Sequence, residues 1–296
     1  MGLNIIFGID TTTAAAISGI LGILLFTSKK MGGVLDNTAK VLGTVMLVLI
    51  AYVAFSTNPP VGTAVTHAIV PTNYPWLATI TLIGGTVGGY ITFSGGHRLI
   101  DAGITGQEHL KDVRRAAIMG MSVDALVRVL LFLAVLGVVS MGFVLDSKDP
   151  AGSAFLLGSA FLLGAGEIGH KLFGIVFFCA ALTSVVGAAY TSVSFLKTLF
   201  KVVERNEKLT IMAFIFISTC ILIFIGKPAS LLILAGSVNG LILPVTLAVM
   251  LVATHKSEIV GAYKHNKLLY YTGWIVVLVT SYIGVTSLKG IAKLLG

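Results

Sequence analysis

The sequence predicts an all-α integral membrane protein of about eight transmembrane helices, and three observations carry that prediction. Only 11% of its 296 residues are charged and 56% are hydrophobic, where a soluble domain carries about 25% charged residues. Apolar runs of the length a bilayer demands, about 17–25 residues, recur along the whole chain. The basic residues gather in the short loops between those runs, mostly on one side.

Taken in order, the runs fall at 5–27, 37–56, 75–98, 116–145, 166–196, 208–226, 229–254 and 268–288. No small-residue cleavage site follows the first, and further runs come after it, so it reads as a retained helix rather than a signal peptide. A stretch at 152–163 is too short to cross and reads as an interfacial or re-entrant piece. With that count, fourteen loop lysines and arginines, from Lys29 to Lys267, share one side, while Lys148, Lys227, Lys289 and Lys293 occupy the other. The bias places both ends of the chain outside a bacterial cytoplasmic (inner) membrane. Residues 1–296 form a single transmembrane domain on this reading, and so short an outward N-terminus suggests an odd number of spans upstream.

Net charge is +8, but in short interhelical loops such charge sets orientation and meets lipid headgroups, and nucleic-acid binding is not expected. Cys179 and Cys220 lie inside apolar runs without metal-ligand spacing and read as packing residues. No Walker loop, dinucleotide fingerprint or metalloprotease helix occurs, so no enzyme is expected.

The third run carries the chemistry. Glycines 84, 85, 88, 89, 95 and 96 occupy six of thirteen positions in mid-membrane, each costing about 1 kcal/mol of helix propensity relative to alanine. One reading is small-xxx-small packing, Gly84 to Gly88 and Gly85 to Gly89, against a neighbouring helix. The other is a helix broken near 84–90, whose freed carbonyls coordinate a cation with help from Thr86, Tyr90, Thr92 and Ser94. The seventh run adds Gly236-Ser237-Val238-Asn239-Gly240 and Pro244. Pro244 frees a carbonyl one turn earlier, and a neutral Asn239 at that depth should face the interior. A merely kinked helix, with Asn239 bonding a neighbour, is the competing reading. Ser184, Gly187, Thr191 and Ser194 form a narrow stripe suited to helix packing. Asp124 and Arg128 are spaced for a self-neutralising i,i+4 pair, with a gating role as the alternative. Glu167, His170 and Lys171, and likewise His97, Arg98 and Asp101, read as interfacial anchors or gate charges.

Leu82-Ile-Gly-Gly-Thr-Val-Gly-Gly-Tyr90 resembles the sixth helix of Nramp-type divalent metal transporters, Leu182-Thr-Ser-Val-Val-Gly-Ala-Ala189 the eighth and Leu241-Ile-Leu-Pro-Val-Thr-Leu247 the tenth. The resemblance implies a partial LeuT-type fold of two inverted five-helix repeats (5+5), of which this chain supplies family helices four to eleven. Helices one to three would be missing, with the Asp-Pro-Gly-Asn motif that provides the charged ligand. Asp149-Pro150-Ala151-Gly152 is a decoy in an outward loop.

The departures point to the magnesium-transporting branch. The family's helix-six methionine falls on Gly88, the proline on Gly89, the histidine on Tyr90 and a second histidine on Gly95. Thioether ligands favour softer transition metals, whereas oxygen and water suit Mg²⁺, which dehydrates reluctantly. The resemblance makes the Gly85 carbonyl a ligand, with Gly88 and Tyr90 lining the cavity; Thr86 and Asn239 complete the expected metal set. The family's tenth-helix glutamine falls on Gly236.

Transport of Mg²⁺, with Mn²⁺ as a second substrate, is therefore expected, without a cofactor and without activity from this polypeptide alone. Two alternatives stand beside it. One is an amino-acid or amine transporter of the same superfamily. The other is a non-transporting fragment, or half of a split transporter whose missing helices come from a separate polypeptide.

Overall fold

The computed structural model describes residues 1–27, 31–87, 96, 99–100, 102–142, 152–225 and 228–295. Side chains are described within those ranges except at 26–27, 31–40, 152–156, 228–229 and 289–295. Among the described residues every regular element is helical. The chain divides into two compact units, Met1–Thr72 with Lys111–Val193 and Lys201–Pro228, and Asn73–Leu110 with Ser194–Phe200 and Ala229–Gly296.

The first unit begins with a correction. The run 5–27, expected as one span, is two helices, α1 (Gly2–Phe7) and α2 (Thr11–Thr27). Gly8 takes φ 69°, a left-handed conformation that glycine adopts without steric cost. Asp10 then caps α2, its carboxylate accepting from the Thr13 N–H at 2.9 Å, and Asn4 Nδ2 donates to the Ile9 carbonyl at 2.8 Å. The break thus satisfies its own backbone groups.

Next come α3 (Met31–Ser56) and α4 (Val61–Ile69), whose axes bend by 102° across Thr57–Pro60. Pro59 and Pro60 bring no N–H there, and Asn58 sits at φ 48°. Later helices of this unit are α6 (Leu110–Ser140, from Lys111 on), α7 (Gly152–Leu199, as far as Val193), α8 (Lys201–Arg205) and α9 (Glu207–Ile225). Within α7, Gly166 is non-helical at φ 66°, ψ −169°, where the sequence places the start of a span after a separate short piece. The core joins Ile50, Val53 and Ala54 of α3, Ala134 and Val138 of α6, and Ala160, Phe161 and Phe173 of α7. The Phe161 and Phe173 rings stack at 4.4 Å. Thr57 lies where a Gly137 side chain would be, and Val53 against Gly164, so two glycines bring these helices together. Ala189 and Val193 of α7 pack on Ile211 and Ile215 of α9.

The second unit holds α5 (Trp76–Thr86), α10 (Pro228–Ala253), α11 (Ser257–Val260) and α12 (Lys267–Leu295). Ser287 on α12 donates to the Trp76 carbonyl at 2.9 Å, and Tyr282 meets the Trp76 ring edge-on at 5.5 Å.

Five described helices are long and apolar enough to cross a membrane, and the bent α3–α4 pair makes a sixth candidate. The eight runs exceed that number for two reasons: the first is split at Gly8–Asp10, and the third is described as helix only to Thr86. Large apolar side chains such as Phe224 (86% exposed) and Leu232 (73%) point outward. A lipid solvent accounts for such a surface; water does not.

Candidate functional site

The glycine-rich end of α5 crosses the middle of α10, and backbone meets backbone there. A Cβ on Gly84 would overlap the Gly236 carbonyl oxygen and the Gly240 nitrogen. In return, a Cβ on Gly236 would come within 2.9 Å of the Thr81 carbonyl, and one on Gly240 within 2.6 Å of the Ile80 carbonyl. Three glycines therefore set the approach. Gly236 and Gly240 are four apart on one face of α10, the spacing that lets membrane helices touch.

Polar groups fasten the crossing. The Thr81 and Ser237 hydroxyls lie 2.7 Å apart, and Asn239 Nδ2 donates to the Gly84 carbonyl at 2.8 Å. Bonds between membrane helices of this kind contribute about 0.6 kcal/mol on average and up to about 1.7. α10 remains one helix through Pro244, and Pro244 brings no N–H to the Gly240 carbonyl.

The two readings of the glycines separate by residue. Gly84 is a packing glycine, buried at the crossing. Gly85 is exposed, and among the described residues nothing outside its own helix backbone comes within 4 Å of where its Cβ would stand. Helix is assigned through Thr86, and the Val87 N–H still bonds the Ile83 carbonyl at 2.9 Å. Residues 84–86 are thus helical, so the break expected near 84–90 does not fall in that part of the range, and 88–90 lie outside the described residues. The Thr86 hydroxyl donates to the Ile83 carbonyl at 3.1 Å and keeps lone pairs for other partners.

Of the expected metal set, the structure brings Gly85, Thr86 and Asn239 to the neighbourhood of one helix crossing, while Gly88 and Tyr90 lie outside the described residues. So do His97, Arg98, Asp101 and the Asp149-Pro150-Ala151 part of the decoy. Among the described residues no group of three or more His, Cys, Asp or Glu could hold a metal. What the crossing offers a cation is backbone carbonyl, hydroxyl and amide oxygen. Sequence reading named Asn239 and Ser237 but missed Thr81 and the closeness of Gly240; the Gly236-x-x-x-Gly240 spacing was the available signal.

Elsewhere the groups behave as spacing suggests. Arg128 forms a two-point pair with Asp124, at 2.6 and 3.0 Å. Thr191 returns its hydroxyl to the Gly187 carbonyl at 2.7 Å, and Cys179 and Cys220 are free and half-buried. A cavity of about 360 Å³ within the first unit, between α1, α2, α7 and α9, was not foreseen. Its hydroxyls at Ser18, Ser218 and Thr219 are turned onto their own helices, and most of the remaining lining is apolar, with Met1 and Thr11 at its edge.

The fold and this crossing define a polytopic helical membrane protein with neutral oxygen donors at a glycine-lined helix contact. The chain belongs to the Nramp family, described as natural resistance-associated macrophage protein-like, which it matches over residues 1–289. That family has the LeuT-type fold, and its members are transporters of divalent metal ions rather than enzymes. The chain is 48% identical over 288 residues to the uncharacterized membrane protein YcsG of Bacillus subtilis (strain 168), covering 97% of this chain and 70% of that protein. It is likewise 48% identical over 283 residues to an uncharacterized membrane protein of Haemophilus influenzae, covering 96% of this chain and 70% of that one.

Proposed function

We propose that this chain forms part of the cation path of a secondary transporter for divalent metal ions that prefers Mg²⁺ and also accepts Mn²⁺. The observation that carries this reading is the α5–α10 crossing, where Gly84 is locked against Gly236 and Gly240 while the adjacent Gly85 meets none of the described residues outside its own helix. A wall without side chains leaves room for an ion that keeps several of its waters, as Mg²⁺ does. Oxygen dipoles suit that ion better than softer metals, which seek sulfur or imidazole.

Each proposed group has a part. The Gly85 carbonyl and the Thr86 hydroxyl present oxygen toward the ion or its waters, and Asn239 adds an amide at the same crossing. The family resemblance assigns Gly88 and Tyr90 to the same cavity, Gly88 providing volume where a methionine would provide sulfur. Neutral dipoles alone leave a doubly charged ion costly to bury. We therefore assign the counter-charge to the family's Asp-Pro-Gly-Asn motif, carried by the portion of the longer relatives that this chain does not match or by a separate polypeptide. On this reading the chain by itself does not transport. We place it in a bacterial cytoplasmic membrane with both ends outside, on the strength of the asymmetric loop charges.

The test is a chimera in which this chain replaces the matching segment of the Bacillus subtilis relative, reconstituted in vesicles. Mg²⁺ entry, inhibited by Mn²⁺ and indifferent to amino acids, is the expected result. Entry of an amino acid or amine without metal flux would replace this reading with the other cargo.

A further inference from the structure

The 254–266 connection between α10 and α12 has only thirteen residues, and candidate membrane spans abut it on both sides (Ser230–Ala253 and Lys267–Leu288). Its charges therefore sit at a membrane edge whatever the orientation. Lys256, Lys264 and Lys267 are all exposed, Glu258 is the single carboxylate among them, and no ion pair joins them among the described residues. Three lysines against one glutamate leave the segment with a formal excess of two positive charges, and at a membrane edge such an excess attracts anionic headgroups.

Local structure folds the segment into a rim. The His255 N–H bonds the Val252 carbonyl at the end of α10, and its ring packs at 4.4 Å on Tyr270 of α12. Tyr263 OH and His265 Nδ1 lie 3.1 Å apart, and the Asn266 side chain accepts from the Leu268 N–H at 2.8 Å to cap α12. Tyr270 contacts both Tyr271 and Trp274 edge-on. Trp274 stands two helical turns, about 10 Å, deeper than Lys267. Ile259 (64% exposed), Leu268 (70%) and Tyr271 (66%) flank the lysines. Cations above and indole and phenol rings below, with bare aliphatic groups between, match the depth profile of a phospholipid from headgroup to upper acyl chain.

We infer that this rim is a binding surface for anionic phospholipid, with Lys256, Lys264 and Lys267 meeting the phosphate and the Tyr270–Trp274 cluster meeting the glycerol and upper acyl region. A neutral phosphocholine headgroup carries its own cation outward and cannot supply the missing counter-charge, so the surface discriminates between the two.

Trp76 and Trp274 are the chain's two tryptophans, which makes the rim observable. The full chain carrying W76F is reconstituted in vesicles, and Trp274 fluorescence is quenched with brominated phosphatidylglycerol or, at equal mole fraction, brominated phosphatidylcholine. Quenching at least about two-fold stronger by the anionic lipid at low salt is expected, falling to parity in 1 M NaCl and in K256Q/K264Q/K267Q. Equal quenching in the W76F chain, or a preference that survives the triple substitution, overturns the proposal. Loss of the preference on adding 50 mM inorganic phosphate, with sodium chloride of equal ionic strength as control, also overturns it, because the site would then take a free anion. Should W76F fail to reconstitute, the ratio of phosphatidylglycerol to phosphatidylcholine co-purifying with the otherwise unaltered chain is measured with and without the three lysines. A ratio that falls when the lysines are removed supports the surface, and an unchanged ratio overturns it.

Discussion

Asn239 on α10 donates its side-chain amide to the Gly84 carbonyl on α5 across 2.8 Å, and Gly84 is the residue whose missing side chain lets the two backbones meet. One residue thus makes the contact possible and also receives the bond that fixes it.

Gly84→Ala and Gly85→Ala should behave differently although they are neighbours. The first places a methyl into the Gly236 carbonyl and the Gly240 backbone, neither of which can swing aside, and should cost about 3 kcal/mol or more. The second meets open space and should change stability by less than about 0.5 kcal/mol. Thermal unfolding of the purified chain in detergent reads both; equal destabilisation would refute the assignment of Gly84 as the packing residue.

Removing the tie without touching the glycines isolates its contribution. Asn239→Leu should lose about 1 kcal/mol of stability and, in the chimeric transporter, lower Mg²⁺ uptake more than that loss explains. Unchanged uptake in a folded variant would remove Asn239 from the path.

At the Gly8–Asp10 break, Asp10→Ala deletes the cap that accepts from Thr13 and should lower the melting temperature, while Asp10→Asn, an equally good cap, should be close to neutral. Calorimetric or fluorescence melts compare the two. If both variants lose the same amount, it is the charge, not the cap, that holds the break.

The Asp124–Arg128 pair is predicted to behave as a unit. Asp124→Ala alone leaves an unmatched guanidinium within a span and should reduce the folded, membrane-inserted yield. The double change to alanine should restore it in part. Additive losses would mean that the two charges serve separate partners.

Much of the helix inventory was readable because lipid imposes length and apolarity together: α6, α9, α10 and α12 each coincide with a run. The first run misled because a 20-residue average passes over a three-residue interruption. Asp10 followed by three threonines was nonetheless a capping signature. At the candidate site, the sequence showed which residues are small but not which way they face. Gly84 and Gly85 are equivalent in composition, and only the direction from which α10 approaches makes one a contact and the other a wall. That direction is a tertiary property, set by Gly236 and Gly240 more than 150 positions away.

The most direct test of a sulfur-free, oxygen-lined path is Gly88→Met in the chimeric transporter, with Mg²⁺ and Mn²⁺ uptake measured in competition. A thioether at that position should both fill space needed by a hydrated ion and reward a softer one. The expected result is a fall in Mg²⁺ uptake and a preference shifted toward Mn²⁺ by about ten-fold, equivalent to about 1.4 kcal/mol. An unchanged ratio, with protein inserted and folded, would contradict the account.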